Sequence, residues 1–200
     1  MNIKSSAVAL IKHYNDFHQL PLSPKYQQLP TYLLAYLQGA MARRSNKEAK
    51  PFTFSFQLEN LLKLTLRPEH FGMTKGILID REYYNLPVKN APKHILDLGT
   101  NIGLSLLAFH DQFPDADIAG VEADPRNFDL LVKNIQANNL NVSVLSGAIS
   151  ESTGIFDLRT GRDSTCSTLI EGSLIHPGHD SSIAIPPVSY THLTLPTKRI

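Results

Sequence analysis

A glycine-containing turn between an apolar run and a helical segment constrains the fold of this chain more than any other sequence feature. The apolar run covers residues 94–98, and the turn from Gly99 to Gly103 leads directly into a segment that predicts a helix. A second strand is predicted at 118–122 and a third begins at Val142. Short apolar runs that alternate with helical segments are typical of a parallel sheet with helical crossovers. We therefore predict an α/β fold.

The helix between the second and third strands is the best-defined element of the sequence. Asp124 stands at the N-cap position, and Pro125 at the first helical position, where its missing N–H does no harm. Apolar residues then recur at i, i+3, i+4 and i+7, which predicts one apolar helix face. These residues are Phe128, Leu131, Val132 and Ile135.

The part of the chain before the apolar run divides into two segments. Residues 1–50 predict a helical N-terminal segment, since apolar residues recur at helical spacing on either side of several prolines. Residues 51–90 predict a β-rich lead-in. Two runs around Phe54 and Leu64 alternate apolar and polar residues, which is typical of a β-hairpin. A third short strand is predicted from Gly76 to Asp80.

Composition argues against several classes of protein. The formal net charge of +1 gives no electrostatic reason to expect a nucleic-acid partner. The single cysteine, Cys166, cannot form a disulfide within the chain and fits a reducing compartment. No apolar run approaches the roughly 20 residues that a membrane-spanning helix needs. We therefore expect a cytoplasmic protein without a membrane partner. His176 and His179 fall in a predicted loop with no nearby cysteine, so we expect no metal site.

The turn after the first parallel strand lies where ligands of open α/β sheets bind. Gly99 and Gly103 have no Cβ, so the backbone there can turn sharply and approach a ligand closely. The free N–H groups of the following helix point toward the same space. Asp97 can accept hydrogen bonds from a ligand amine or order the turn from beneath. Taken alone, the motif is equally consistent with a plain tight turn.

A carboxylate at the end of the second strand strengthens the prediction of a binding site. Glu122 follows Asp97 by 25 residues, within the range at which an acidic side chain binds ribose hydroxyls. Its two oxygens can accept from both hydroxyls of a cis-diol. The alternative is a solvated strand-end carboxylate. Gly147 and Ala148, at the end of the third strand, are small enough for an adenine ring to lie against the backbone.

A nicotinamide-dependent enzyme is the nearest competing interpretation of the turn. Its fingerprint is G-x-G-x-x-G, and here Asn101 stands where the second glycine should be. This spacing suits a methyl donor that lacks a pyrophosphate better than it suits a dinucleotide.

The run from Ile95 to Gly103 resembles the first motif of the FkbM-type methyltransferases, a family of S-adenosylmethionine-dependent enzymes. Residues 79–84, 121–138 and 148–154 are similar to the family's lead-in, its acidic motif with the following helix, and its alanine-initiated turn. Ala123 departs from the family pattern, in which proline is commoner. The resemblance covers about 66–154.

The resemblance implies a Rossmann-like methyltransferase fold, here incomplete and limited to its first three parallel strands. It implies methyl transfer to a hydroxyl of a sugar or secondary metabolite, with S-adenosylmethionine as the cofactor. The implied cofactor-binding residues are Asp97, Gly99, Thr100, Asn101, Gly103, Glu122, Ala123 and Ala148.

The sequence after Gly154 predicts a shortened domain. Residues 155–158 and 183–185 are mainly apolar and can form strands, but a seven-stranded sheet needs more strands than these can supply. Residues 188–197 resemble one translated frame of a sequencing-library adapter, so we expect Pro187 to be about the last natural residue. We expect the chain to be a fragment of an enzyme, inactive by itself. Its first parallel strand would then have an unpaired apolar edge, which is an aggregation hazard.

These observations predict a partial S-adenosylmethionine-binding domain at 91–187, followed by a non-native tail at 188–200. The expected reaction is direct displacement, in which the protein mainly positions a small-molecule or glycan acceptor. No residue can be assigned as a general base. Two alternatives stay open, namely an NAD(P)-dependent oxidoreductase and a non-catalytic nucleotide-binding or scaffold domain. The sequence does not fix the oligomeric state.

Overall fold

A computed structural model describes residues 50–57, 61–78, 80–84, 86–150, 156–161, 167–170, 179–185 and 187–188 of the chain. The chain divides into two compact units, Met1–Glu82 and Tyr83–Ile200. The predicted N-terminal helical segment and nearly all of the predicted non-native tail lie outside the described residues. None of the helices in the described ranges has the length and apolar character needed to span a bilayer.

The first unit contains an antiparallel hairpin, as the alternating pattern predicted. Strands β1 (Phe52–Gln57) and β2 (Leu61–Leu66) pair along their whole length. Alternate residues of a strand point to the same face of the sheet. The apolar positions Phe54, Leu64 and Leu66 are accordingly almost fully buried. The hairpin prediction is therefore confirmed.

A helix stands where a third strand was predicted. A 3₁₀ turn (Pro68–His70) leads into helix α1 (Phe71–Leu78), so the predicted strand from Gly76 to Asp80 is wrong. The Thr74 hydroxyl donates to the carbonyl of His70 at 2.9 Å within the helix. Two glycines and a threonine weaken the helical signal, while the apolar residues at its end also suit a short strand. The buried residues of α1 are Phe71, Thr74, Gly76, Ile77 and Leu78.

A three-stranded parallel sheet carries the candidate site of the second unit. Strands β3 (His94–Leu98), β4 (Asp117–Glu122) and β5 (Val142–Ser146) lie in the order β3-β4-β5 and run parallel. Helices α2 (Leu104–Gln112) and α3 (Pro125–Ala137) connect them. The predicted α/β, Rossmann-like arrangement with three parallel strands is confirmed. Because ligands of such sheets bind at the carboxyl ends of the strands, that end is where a site is expected.

Both connecting helices pack on the same sheet face. Leu106 and Phe109 of α2 meet Leu131 of α3 and Ile118 of β4 in a buried cluster. Partly buried apolar side chains complete the layer, namely Ile95, Ala116, Phe128, Ile135, Val142 and Val144. Phe128, Leu131 and Ile135 of the apolar face predicted for α3 therefore cover the sheet, while the fourth predicted residue, Val132, is outside this cluster.

The N-terminus of α3 has the predicted cap. Asp124 is extended, with φ of −77°, and its carboxylate accepts the backbone N–H of Arg126 at 2.9 Å. The Arg126 guanidinium also pairs with Asp124, with Nη2 2.6 Å from Oδ2. Pro125 occupies the first helical position, and Asn138 ends the helix. This cap fixes the direction in which the chain leaves β4.

The remaining described strands belong to two further sheets. A short parallel pair joins β6 (Ala148–Ile149) to the later strand Pro187–Val188. Between them, β7 (Phe156–Gly161), β8 (Ser167–Ile170) and β9 (His179–Ile185) form an antiparallel sheet in the order β8-β7-β9. This antiparallel sheet was not predicted. Pro187–Val188 is strand β10.

The middle of β4 approaches the turn after β3 too closely for a side chain. A Cβ placed at Gly120 would collide with the Cγ2 methyl of Thr100 and lie 3.4 Å from both δ-methyls of Leu106. Thr100 is 2% exposed, so its methyl has no space into which it can retreat. The Thr100 methyl therefore packs directly against the backbone of β4 at Gly120.

We expect the substitution Gly120→Ala to lower the free energy of unfolding by about 1–3 kcal/mol, because overpacking forces side chains and backbone to shift. Gly72→Ala in α1 is the matched control, since a Cβ there has nothing within 4 Å. Urea denaturation followed by circular dichroism measures both. Equal stability of Gly120→Ala and the unchanged chain would contradict the packing described above.

One side of β3 is free within the described strands, because β3 pairs only with β4 in its sheet. Leu98, on this edge strand, is 44% exposed. An exposed apolar edge strand is a template for pairing with another chain. This placement agrees with the aggregation hazard expected from the sequence.

We expect the 200-residue chain to self-associate at micromolar concentration, and Leu98→Lys to reduce the association because a charge on an edge strand opposes edge pairing. Light scattering across a dilution series measures the self-association of each variant. Val88→Lys is the control, since Val88 is 50% exposed but lies outside the strands. An equal effect of both lysines would point to general apolar contact rather than to the strand edge.

Candidate functional site

The turn between β3 and α2 folds back over the end of β4. The backbone N–H groups of Gly99 and Thr100 both donate to the carbonyl of Val121, at 2.8 and 3.0 Å. Three of the five turn residues have positive φ, namely Gly99 at 92°, Asn101 at 51° and Gly103 at 89°. Glycine adopts this region freely and asparagine tolerates it better than most residues. The sequence of the turn therefore suits its backbone conformation.

The two glycines of the turn have different surroundings. A Cβ added at Gly99 would meet nothing within 4 Å, so open space adjoins the backbone there. A Cβ added at Gly103 would lie 2.7 Å from Cδ1 of Leu131, a residue of α3. Gly99 thus borders the space that a ligand could enter. Gly103 instead allows the start of α2 to pack against α3.

Asp97 lies one residue before the end of β3 and is held from α2. The Ser105 hydroxyl, in the first turn of α2, donates a hydrogen bond to Asp97 Oδ2. Burial raises the pKa of the Asp97 carboxyl above its ordinary value of 3.8, and the hydrogen bond from Ser105 lowers this pKa in part. A carboxylate with one donor and partial burial remains able to accept further hydrogen bonds.

Glu122 ends β4 and joins the two turns that flank it. Its Oε2 accepts the backbone N–H of Asn101 at 2.7 Å, and its Oε1 accepts the backbone N–H of Asp124 at 2.8 Å. The side chain of Asn127, in the first turn of α3, gives it a further hydrogen bond. The side chain is not solvated, since Glu122 is 7% exposed. Of the two interpretations of Glu122, the solvated strand-end carboxylate is therefore wrong.

Burial raises the pKa of the Glu122 carboxyl, and the nearby negative charge of Asp124 acts in the same direction. The hydrogen bonds from Asp124, Asn101 and Asn127 lower this pKa. A carboxylate can accept about four hydrogen bonds, and three donors already face this one. One acceptor position of Glu122 therefore faces no described donor, whereas both oxygens were expected to be available to a ligand diol.

The end of β5 comes next to Glu122 through the backbone. The N–H of Gly147 donates to the carbonyl of Glu122 at 2.9 Å. The next residue, Ala148, is 2% exposed and packs with Leu158 and the partly buried Ala123. The two alanines predicted from the resemblance therefore lie in one small apolar cluster beside the strand ends.

The structure brings most of the predicted residues to one end of the sheet. Thr100 and Asn101 are bonded to the end of β4, Glu122 joins them, and Ala123 and Ala148 pack together beyond it. Asp97 is linked instead to α2. No group of three or more histidine, cysteine or acidic side chains suited to a metal occurs among the described residues.

Sequence reasoning missed three polar residues that hold this end of the sheet. Ser105 and Asn127 support the two carboxylates. Asn134 of α3 is 1% exposed, and its Nδ2 donates to the carbonyl of Ile102 at 2.9 Å. Asn127 and Asn134 are seven residues apart, so both occupy one side of the helix. Two asparagines at that spacing beside an apolar stripe were the available signal.

No protein-family model matches the chain. Two curated relatives are similar in sequence. The release factor glutamine methyltransferase of Geobacter sulfurreducens is 27% identical over 127 residues, which are 60% of this chain and 42% of that protein. The tRNA1(Val) (adenine(37)-N6)-methyltransferase of Porphyromonas gingivalis is 32% identical over 82 residues, which are 40% of this chain and 32% of that protein. The chain spans less than half the length of either relative.

Solved structures give weaker likenesses. P. horikoshii TYW2 in complex with MeSAdo has a TM-score of 0.36 at 16% identity, over 60% of this chain and 50% of that one. Aeropyrum pernix fibrillarin with natively bound S-adenosyl-L-methionine has a TM-score of 0.28 at 17% identity, over 50% of this chain and 53% of that one.

Burial raises the pKa of both carboxyls, but their amides should have opposite effects on stability, because Glu122 faces two backbone N–H donors and Asp97 faces a hydroxyl that can also donate to an amide oxygen. A folded-state pKa raised by burial means that stability is lost as pH rises from 3.8 through the raised value for Asp97. An asparagine carries no charge at any pH, so we expect Asp97→Asn to avoid this loss of folding stability and to raise the melting temperature at pH 7.5. Glu122→Gln places an amide N–H₂ against a backbone donor, so we expect a loss of about 1–3 kcal/mol.

Thermal and urea melts at pH 7.5 and pH 4 measure the two variants. The gain from Asp97→Asn should shrink as the pH falls toward 4, because the raised pKa of the Asp97 carboxyl favours its neutral form in the folded state. A stabilising Glu122→Gln substitution would show that the Asn101 and Asp124 donors do not depend on the carboxylate.

Proposed function

We propose that this chain carries the cofactor-binding part of an S-adenosylmethionine-dependent methyltransferase. The observation that supports this most directly is the bond from Asn101 N–H to Glu122. It places a buried carboxylate beside a glycine turn that borders open space at Gly99. Both curated relatives are named as methyltransferases, which supports the same reaction class.

The residues present fit an adenosyl sulfonium. Glu122 keeps one acceptor position for a ribose hydroxyl, and the partly buried Ala123 would give an adenine ring an apolar contact, whereas Ala148 is 2% exposed and supports Ala123 from within the cluster. Asp97 has one hydrogen bond to Ser105 and can accept another from an amino group. Two carboxylates also complement the positive charge of the ligand. We assign the backbone of Gly99 and Asn101 to the binding surface, while Thr100 and Gly103 hold the turn against β4 and α3.

The protein contributes mainly by positioning. When bound, S-adenosylmethionine supplies an electrophilic methyl group that an acceptor atom attacks in line. Asp97 and Glu122 would hold the two ends of the cofactor, and the turn between them would fix its orientation. No described residue is assigned as a general base.

We further propose, on the FkbM resemblance, a hydroxyl of a sugar or secondary metabolite as the acceptor. The names of the two relatives give the competing acceptors, a release factor glutamine and a tRNA adenine. An acceptor assay therefore needs all three classes of acceptor.

We also propose a cofactor domain at 91–187, after the β-rich lead-in at 51–90 and the helical segment at 1–50.

The structure also bears on the nicotinamide alternative. Asn101 has a side chain at the second glycine position of the dinucleotide fingerprint, and its Oδ1 accepts the N–H of Ile102 at 2.9 Å. This bond occupies a turn N–H that a dinucleotide phosphate would need. The arrangement therefore supports a ligand without a pyrophosphate.

Calorimetry with S-adenosylmethionine and NAD tests the proposal on the chain as it is. We expect binding of S-adenosylmethionine only, and a loss of affinity of about 10- to 100-fold in Glu122→Ala, as for a hydrogen bond to a charged group. Asp117→Ala is the matched control, because Asp117 is an exposed carboxylate at the other end of the same strand. Tighter binding of NAD would favour the oxidoreductase, and binding of neither ligand would favour a scaffold domain.

A further inference from the structure

The carboxylate of Asp97 has a single described hydrogen-bond partner. Asp97 lies on the face of β3 that the helices cover, in register with Gly120 of β4. Gly120 has no side chain that could contact it. Among the described residues, the Ser105 hydroxyl alone donates to this carboxylate, at Oδ2. No described residue donates a hydrogen bond to the other oxygen, Oδ1.

Charged groups of the neighbouring elements are engaged elsewhere. On α3, Arg126 pairs with Asp124 at 2.6 Å. On β4, Glu122 is bonded to the backbone of Asn101 and Asp124. At the start of β3, the His94 ring lies 3.3 Å from the Asp117 carboxylate. None of these groups is hydrogen-bonded to Asp97, so its orientation depends on Ser105.

Ser105 is placed for this role by the turn that precedes it. Gly103 stands at the N-cap of α2 in the left-handed region, with φ of 89°, and has no side chain to cap the helix. Ser105 follows in the first turn and is 7% exposed, so water does not compete for its hydroxyl. A serine inside a helix can bond to the carbonyl four residues earlier. Here the hydroxyl bonds to the strand carboxylate instead.

We propose that Ser105 is a positioning residue, which fixes the Asp97 carboxylate so that Oδ1 is presented to the amino group of the cofactor. The inference rests on the proposed function, because it assumes that Asp97 binds that amine. Ser105 itself does not touch the cofactor in this scheme. Its effect reaches the ligand through the orientation and charge of Asp97.

The test compares Ser105→Ala with Ser105→Thr, which restores a hydroxyl. The first readout needs no ligand: carbon-13 NMR titration of the Asp97 carboxyl, assigned with Asp97→Asn. Loss of a hydrogen bond that favours the charged form should raise the pKa of Asp97 in Ser105→Ala. We expect the threonine variant to return it toward the wild-type pKa.

The second readout is calorimetry with S-adenosylmethionine between pH 5 and 8. We expect Ser105→Ala to bind about 10-fold more weakly, with the pH profile displaced upward, and Ser105→Thr to recover most of the affinity. The control is Thr74→Val, which removes another buried helical hydroxyl. It should change stability while leaving the Asp97 titration and the binding unchanged.

The outcomes separate this inference from the proposed function. If the wild type binds and Ser105→Ala binds equally well with an unshifted pH profile, the positioning role is overturned and the proposed function stands. If the wild type does not bind, the proposed function fails, and the Asp97 titration decides whether Ser105 fixes the carboxylate. An Asp97 pKa that is identical in all three Ser105 forms would overturn the inference in either case.

Discussion

One buried carboxylate holds the carboxyl end of the parallel sheet together. Glu122 accepts a backbone N–H from the turn after β3 and another from the turn after β4, at 2.7 and 2.8 Å. Removing a carboxylate from water is unfavourable unless donors compensate for the lost hydration. Here the donors belong to two different turns, so the compensation also sets how the turns lie against each other. The start of α3 and the position of Asn101 both depend on this residue.

The two acidic strand ends share a sequence signature but differ in their surroundings. Glu122 accepts hydrogen bonds from three donors, two of them backbone N–H groups, so most of its acceptor positions are used within the protein. Asp97 accepts a hydrogen bond from a single hydroxyl, so most of its hydrogen-bond acceptor positions have no described donor. The division follows from position, since β4 is the central strand of the three and β3 lies at the edge. A central strand end is flanked by turns on both sides, and an edge strand end is not.

Local patterns predicted much of this structure, and tertiary contacts account for the rest. The period-2 alternation around Phe54 and the cap at Asp124 gave the hairpin and α3, because each is specified within a few residues. Helix α1 was mistaken because Gly72, Thr74 and Gly76 dilute its pattern. The roles of Ser105 and Asn134 were out of reach, since each bonds to a residue brought near only by folding. The antiparallel sheet of β7 to β9 likewise depends on pairing between distant segments.

The methyl group of Thr100 over the bare backbone of Gly120 has a consequence for how a ligand would be received. Together with the N–H bonds of Gly99 and Thr100 to Val121, this contact seats the turn before any ligand arrives. Because the turn is already ordered, it would lose less conformational entropy on binding than a mobile loop would. Binding at this turn would then use a preorganised surface rather than a loop that closes on the ligand. Selectivity would come from steric exclusion of ligands that do not fit the fixed backbone.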